Sequence, residues 1–366
     1  MRATNLGIFR GEPANGVFFQ PRIEPWFDLH RRLGDLSPRL TAMSLRDFYD
    51  DLELSMRYTH YYTDQPYPIA VAHTGGVTDT VTGDDRNRTR VISTPRGRLT
   101  EGQRINTDGM WYTMDYPVNT LADLAVLEAY YAGTTYHFDP GAFRQGAAYL
   151  GDRGEPSFWL PKSPYQALCQ WWMDLQDFIQ LLHEEPAAVE RVMRAIDAAY
   201  DPLFTELAAA AGEVRIANFG ENIHAQLLSP RYFEKYLLPF YAKRSGALRR
   251  AGIFTHVHID GFFKPLLPYL KDLPFDGIEA LTPVPQGDVT LDEMKASLGD
   301  KILLDGIPAI LFMPHHAEAE LQACVERVIA LFSPRLILGI SDEFPQGAPE
   351  SCLDRVRWIR QRCRAT

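Results

Sequence analysis

The chain has 366 residues, 46% of them hydrophobic and 23% charged, enough to bury a large core and too apolar for a disordered chain. Its net charge of −10 repels nucleic-acid phosphates, and Arg86, Arg88, Arg90, Arg96 and Arg98 stand among acidic residues as a solvated loop would, so no nucleic-acid partner is expected. With no signal peptide, no run of about 18 apolar residues and no CxxC pair among Cys169, Cys324, Cys352 and Cys363, the chain reads as cytoplasmic, away from membranes, with reduced thiols.

In chain order, Gly16 to Arg22 reads as a strand ending in polar residues. Helical patterns follow around Asp28 to Leu33 and from Leu45 to Tyr58. From Pro68 to Arg104 Thr, Val and Gly dominate, with turns at Gly75-Gly76, Gly83-Asp84 and Pro95-Arg96-Gly97. This predicts β-hairpins inserted into a single 1–366 domain, over 68–104. Asn119 to Tyr131, Trp171 to His183 and Ala187 to Ala211 are helical, with Pro186 at a helix start and Gly212 at an end. Trp171-Trp172 reads as core or pocket wall.

Strands then alternate with helices. Strands are predicted at Val214 to Phe219, Ile253 to His258, Gly277 to Leu281, Lys301 to Leu304 and Leu336 to Gly339. The helices between and after them are Pro230 to Arg250, Phe263 to Leu270, Leu291 to Ser297, Ala317 to Phe332 and Leu353 to Arg364. Such alternation implies a parallel sheet with right-handed crossovers, and its spacing favours an α/β fold of the (β/α)8 TIM-barrel type. A doubly wound open sheet is the alternative, but no GxGxxG turn follows any strand.

In such a barrel the active site lies at the carboxyl ends of the strands. Those ends deliver Asn218 with Gly220 to Asn222; His256, His258 and Asp260; Glu279 and Thr282; Asp305; and Ser341 to Glu343. His256 and His258 are two apart, so on a strand both imidazoles face one way. That suits a divalent ion such as zinc, completed by carboxylates, or else a pair of core or substrate-binding histidines. Glu221 reads as a ligand or general base, or as a carboxylate favoured by a helix start. Asp342 and Glu343 read as ligands or as caps before Pro345. Asp305 closes the apolar strand Ile302-Leu303-Leu304, and His315-His316 reads as surface.

Several stretches resemble the uroporphyrinogen decarboxylase superfamily. They are Gly220-Glu221-Asn222 through Leu228-Ser229-Pro230-Arg231-Tyr232-Phe233 to Leu238-Pro239-Phe240-Tyr241, and His256-Val257-His258 with Leu266 to Leu270. Gly299-Asp300-Lys301 into Asp305-Gly306-Ile307-Pro308, Tyr116-Pro117-Val118 with Asp123-Leu124, and Glu184-Glu185-Pro186 belong to the same pattern. The resemblance spans roughly residues 110 to 362 and implies a (β/α)8 barrel with one of two chemistries. Decarboxylases of the superfamily use an N-terminal arginine-rich motif and a catalytic aspartate. Here Arg22 fits the motif, and Pro25-Trp26 replaces the stretch around its second arginine.

Corrinoid-dependent methyltransferases of the superfamily hold zinc through a His-x-Cys strand and a later cysteine. His256 matches the histidine, His258 replaces the first cysteine, and Ile340 or Ser341 stands in place of the second. The resemblance thus implies a metal site of His256 and His258 with Asp342, Glu343 or Glu221, harder than a thiolate site and suited to an oxygen-type methyl donor. Glu221, Asp305 and Arg22 are the expected catalytic residues. Together with His256, His258 and Asp342 they are expected to converge on one site. The leading expectation is a metal-dependent methyltransferase, closer to that branch than to true decarboxylases, with zinc as cofactor and a corrinoid supplied by a partner protein. The alternatives are a carboxy-lyase acting on a carboxylated substrate and a non-catalytic corrinoid- or ligand-binding subunit. A homodimer is a further expectation.

Overall fold

The computed structural model describes residues 1–13, 15–107 and 109–364. The chain divides into two compact units. One comprises Met1–Pro68, Pro140–Leu160 and the chain from Ala211 on; the other comprises Ile69–Asp139 and Pro161–Ala210.

The first unit is built on a parallel sheet. Its strands are β1 (Phe18–Phe19), β2 (Trp159–Leu160), β3 (Ile216–Phe219), β4 (Phe254–His258), β5 (Gly277–Glu279), β6 (Ile302–Pro308) and β7 (Leu336–Ser341). They lie in the order β1-β7-β6-β5-β4-β3-β2, every neighbouring pair parallel. Strands covered on both faces read as continuous apolar runs, and every residue of β3, β5, β6 and β7 is buried. Helices Leu238–Arg250, Leu291–Leu298 and Glu318–Phe332 link successive strands, and Leu353–Arg364 follows β7. The fold is an α/β barrel of the (β/α)8 type, as the alternation implies.

Between β2 and β1 runs the stretch 55–59. Tyr58 bridges Ser157 in parallel, and the Thr59 N–H donates to the Ser157 carbonyl at 3.0 Å. Toward β1 the contacts come from side chains: the Gln20 amide donates to Ser55 Oγ and to the Met56 carbonyl, both at 2.9 Å.

The second unit holds a four-stranded antiparallel sheet of Thr78–Gly83, Asn87–Thr94, Gly97–Ile105 and Trp111–Asp115, in sequence order. The predicted β-rich stretch therefore runs on past residue 104. Ile69–His73 pairs instead with Thr134–Phe138. Arg90, predicted on a solvated loop, lies on a strand, 2.6 Å from Asp79 and 3.4 Å from Glu101. Trp172 is buried and donates to the Tyr131 hydroxyl at 2.8 Å, whereas Trp171 is exposed. Among the described residues no helix is long and apolar enough to cross a membrane.

Trp171 to His183 is interrupted at Met173 and Asp174, between a π-helix Leu168–Trp172 and the helix Leu175–Glu184, and three other predicted helices differ, each for a local reason. Leu45 to Tyr58 is helical only over Leu45–Asp51, because Glu53 takes a left-handed φ of 52° that no helix continues. Ala187 to Ala211 is broken into Pro186–Ala199 and Asp201–Ala209 by Pro202, which has no N–H to donate. Phe263 to Leu270 is a 3-10 helix over Lys264–Asp272, with Pro268 inside it.

Candidate active site

The site is built around Arg57, which the extended stretch 55–59 carries into the carboxyl end of the barrel. Its guanidinium donates to Glu279 Oε1 at 2.8 Å and to the two Asp305 oxygens at 3.1 and 2.7 Å. It also donates to the Gln20 side chain and carbonyl, each at 3.1 Å. Arg57 is 3% exposed, and Glu279 and Asp305 are fully buried. Paired guanidinium donors in this geometry fix both partners, and burial makes the arrangement costly to disrupt.

Glu279 is the hub. Tyr58 donates to its two oxygens at 2.5 and 2.6 Å, and Asn218 Nδ2 donates to Oε2 at 2.6 Å. The Nδ1 atoms of His256 and His258 lie 3.1 and 3.8 Å from it. Burial alone would raise its proton affinity, but Arg57 and then Arg22 hold it well below the usual carboxylate range. Burial also lowers the pKa of His256, more than Glu279 raises it, which favours the neutral imidazole. Tyr58 is pushed well above the usual phenol range, first by burial and then by Glu279, so it keeps its proton as a donor.

Arg22, 2% exposed, lies 3.7 Å from Glu279 and 3.9 Å from Asp305, and is in contact with Asp342. Asp342 Oδ2 lies 3.7 Å from His258 Nε2. The structure therefore brings Arg22, His256, His258, Asp305 and Asp342 together. Glu221 is buried two residues beyond β3, at the same end of the barrel. Glu343 is bonded by the Tyr61 hydroxyl, and burial raises its pKa against the pull of Arg22. Gly339 has a steric role: a Cβ there would fall 2.3 Å from Asp305 Oδ1. The His315-His316 pair is separate, with His316 facing Glu320 at 3.2 Å.

Among the described residues, no group of three or more His, Cys, Asp or Glu side chains is arranged to hold a metal ion. The expected set of His256, His258, Asp342 and Glu343 does not assemble, for a physical reason. Both imidazoles turn Nδ1 toward Glu279, whose oxygens already accept from Arg57, Tyr58 and Asn218. Asp342 is held by Arg22, and Glu343 by Tyr61. Ser341, which with Ile340 was expected at the place of the second cysteine of the methyltransferase branch, accepts the Gly306 N–H at 2.9 Å. These residues do not fit a zinc shell. Zinc retained after incubation and desalting is expected to be equal in the wild type, His256→Ala and His258→Ala; a stoichiometric ion lost in either variant would show the histidines to be ligands.

Glu24, missed in the sequence, is buried beside the cluster, and its Oε2 has no hydrogen-bond partner among the described residues. Burial pushes its pKa from 4.5 up to about 7, against the Tyr49 hydrogen bond and Arg22. The folded chain thus holds this proton more tightly than the unfolded chain. The resulting stability is full below pH 4.5 and lost as pH rises through 7, by about 3 kcal/mol. Glu24→Gln should remove that loss. Unfolding free energies from pH 4.5 to 8 check this, and parallel slopes for the two proteins would refute it.

The family described as Uroporphyrinogen decarboxylase (URO-D) matches residues 162–358. Among solved structures, a methyltransferase from Methanosarcina mazei covers 98% of this chain and 98% of its own length, with a TM-score of 0.59 and 13% identity. A B12-independent methionine synthase from Shewanella sp. W3-18-1 covers 96% of each chain, with a TM-score of 0.43 and 12% identity. At 13% identity the likeness to the methyltransferase is one of fold. No curated protein matches the chain.

Proposed function

The chain belongs to the uroporphyrinogen decarboxylase family, and from that premise we propose that it is an enzyme transferring a methyl group from a small methylated compound to an acceptor supplied from outside, such as a corrinoid on a partner protein. One observation carries the choice between the family's chemistries. The guanidinium groups at the barrel mouth are neutralised by the protein itself: Arg57 by Glu279 and Asp305, Arg22 by Asp342 with Glu279 and Asp305 nearby. A substrate carboxylate would have to displace Glu279 or Asp305, both fully buried, or the one-third-exposed Asp342, whereas a neutral or cationic methyl donor would not.

In the transfer, the bond between the donor heteroatom and its methyl group breaks, and the methyl forms a new bond to the acceptor. A corrinoid, when bound, would supply the electron pair for that bond. Where the donor atom is oxygen, the departing alkoxide takes a proton, and Glu343, whose pKa burial raises, is the carboxyl of the site that gives it. Tyr61 orients Glu343. Asn218, Tyr58 and Arg57 hold Glu279 between the imidazoles, and His258 faces Asp342 at the open edge. The oxygen-type donor expected from the sequence rested on a hard metal centre. In this site it rests on Glu343.

A second reading, carboxy-lyase chemistry, is favoured by Arg57 itself, which gives Arg22 the neighbouring arginine its own motif lacks. Transfer of label from O-methyl and N-methyl compounds to a reduced corrinoid tests the first reading. Failure with every donor would leave the lyase or a ligand-holding barrel.

A further inference from the structure

Beside the charged cluster stands a group of aromatic rings whose faces the reaction above leaves unused. Trp159 on β2 is in register with Asn218 on β3, and Asn218 with His256 on β4. Side chains in register on neighbouring parallel strands point to the same face, so the indole lies on the face from which Asn218 reaches Glu279. Three rings pack against it, with centroids at 4.7 Å (Tyr58), 4.9 Å (His60) and 4.9 Å (Tyr61). The Tyr67 hydroxyl donates to the Trp159 carbonyl at 2.6 Å, and the Tyr67 ring lies 4.7 Å from His60. Indole and phenol faces carry partial negative charge and attract cations.

The charged groups nearby do not oppose a cation. Tyr61 links the rings to Glu343, and Asp342 next to it is one-third exposed. The guanidinium groups of Arg22 and Arg57 are turned to Glu279, Asp305 and Asp342. His60 adds no competing charge near neutral pH, because burial lowers its pKa to about 4.

We propose that the ring faces of Trp159 and Tyr61, backed by Tyr58, bind a methylated ammonium group, so that the methyl donor is a small N-methyl cation. The inference rests on the methyl-transfer reading and names its substrate class. The step balances without a proton: the N–CH3 bond breaks, its electron pair stays on nitrogen to give a neutral amine, and the acceptor's electron pair forms the new bond to methyl.

The test is binding to the full chain, without corrinoid, of choline and of its uncharged isostere 3,3-dimethylbutan-1-ol. Choline should bind about tenfold more tightly. Trp159→Leu should abolish that preference, and Trp159→Phe, which keeps a ring face, should retain most of it. Tyr61→Leu serves as a second probe should Trp159→Leu not fold. Equal binding of the two compounds, no choline binding, or a preference unchanged by loss of the rings would overturn the inference. Choline binding without methyl transfer would count against the transfer reading alone. Transfer from O-methyl donors without choline binding would count against this inference alone.

Discussion

Replacing Arg57 by methionine should cost the folded chain about 3–5 kcal/mol, among the largest losses of any single substitution. Methionine is close to arginine in bulk, so the loss would come from electrostatics more than from a cavity. Glu279 and Asp305, both fully buried, would lose the guanidinium that neutralises them. Gln20 would lose the donor to its side chain and carbonyl. Tyr58 and Asn218 would remain on Glu279, but they are neutral donors and cannot balance its charge. Arg57→Lys should recover little, since one ammonium cannot reproduce the paired contacts to Glu279 and Asp305. Denaturant unfolding of the three proteins measures this. A loss near 1 kcal/mol or less, typical of an exposed ion pair, would show that Arg57 is not the keystone of the site.

The second large effect falls on catalysis. Glu343→Gln should lower turnover of O-methyl donors by about 10²- to 10⁴-fold, the usual contribution of a positioned acid, while leaving N-methyl donors nearly unaffected. Glutamine preserves the size of the side chain and its bond from Tyr61, but has no carboxyl proton to give. The pH profile supplies an independent check. Burial raises the pKa of Glu343, so the protonated form persists above the ordinary carboxyl range. Turnover of O-methyl donors should therefore be full at low pH and fall as pH rises through that raised value. N-methyl donors should lack this limb. Equal losses on both donor classes would mean that Glu343 positions substrate and does not donate a proton.

The barrel was legible in the sequence because its strands are buried on both faces. Ile302-Leu303-Leu304 and Leu336 to Ile340 read as unbroken apolar runs ending in polar residues, and the strand ends therefore point to the site. His256, His258, Asp305 and Asp342 were visible for that reason. Arg57 was not, since Leu45 to Tyr58 carries a helical pattern up to its end and the turn at Glu53 leaves no strong mark in composition. Once that turn is made, Arg57 lies on an extended stretch and faces Glu279, 222 residues away. Glu279 was recognised as a strand-end residue, but its position between Arg57 and the histidines is a long-range fact. β2, only Trp159–Leu160, is too short for any periodicity to show. The metal expectation followed from the HxH spacing, which places both imidazoles on one face but says nothing of the guanidinium groups turned toward the same carboxylates.

The most direct test sets the two chemistries of the family against each other in one preparation. The protein is incubated with reduced corrinoid, methyl-labelled N-methyl and O-methyl compounds, and carboxyl-labelled uroporphyrinogen. Label should move from the methyl compounds to the corrinoid, and no labelled carbon dioxide should be released. Release of labelled carbon dioxide at an enzymatic rate, with no methyl label in the corrinoid, would contradict methyl transfer and establish the barrel as a decarboxylase.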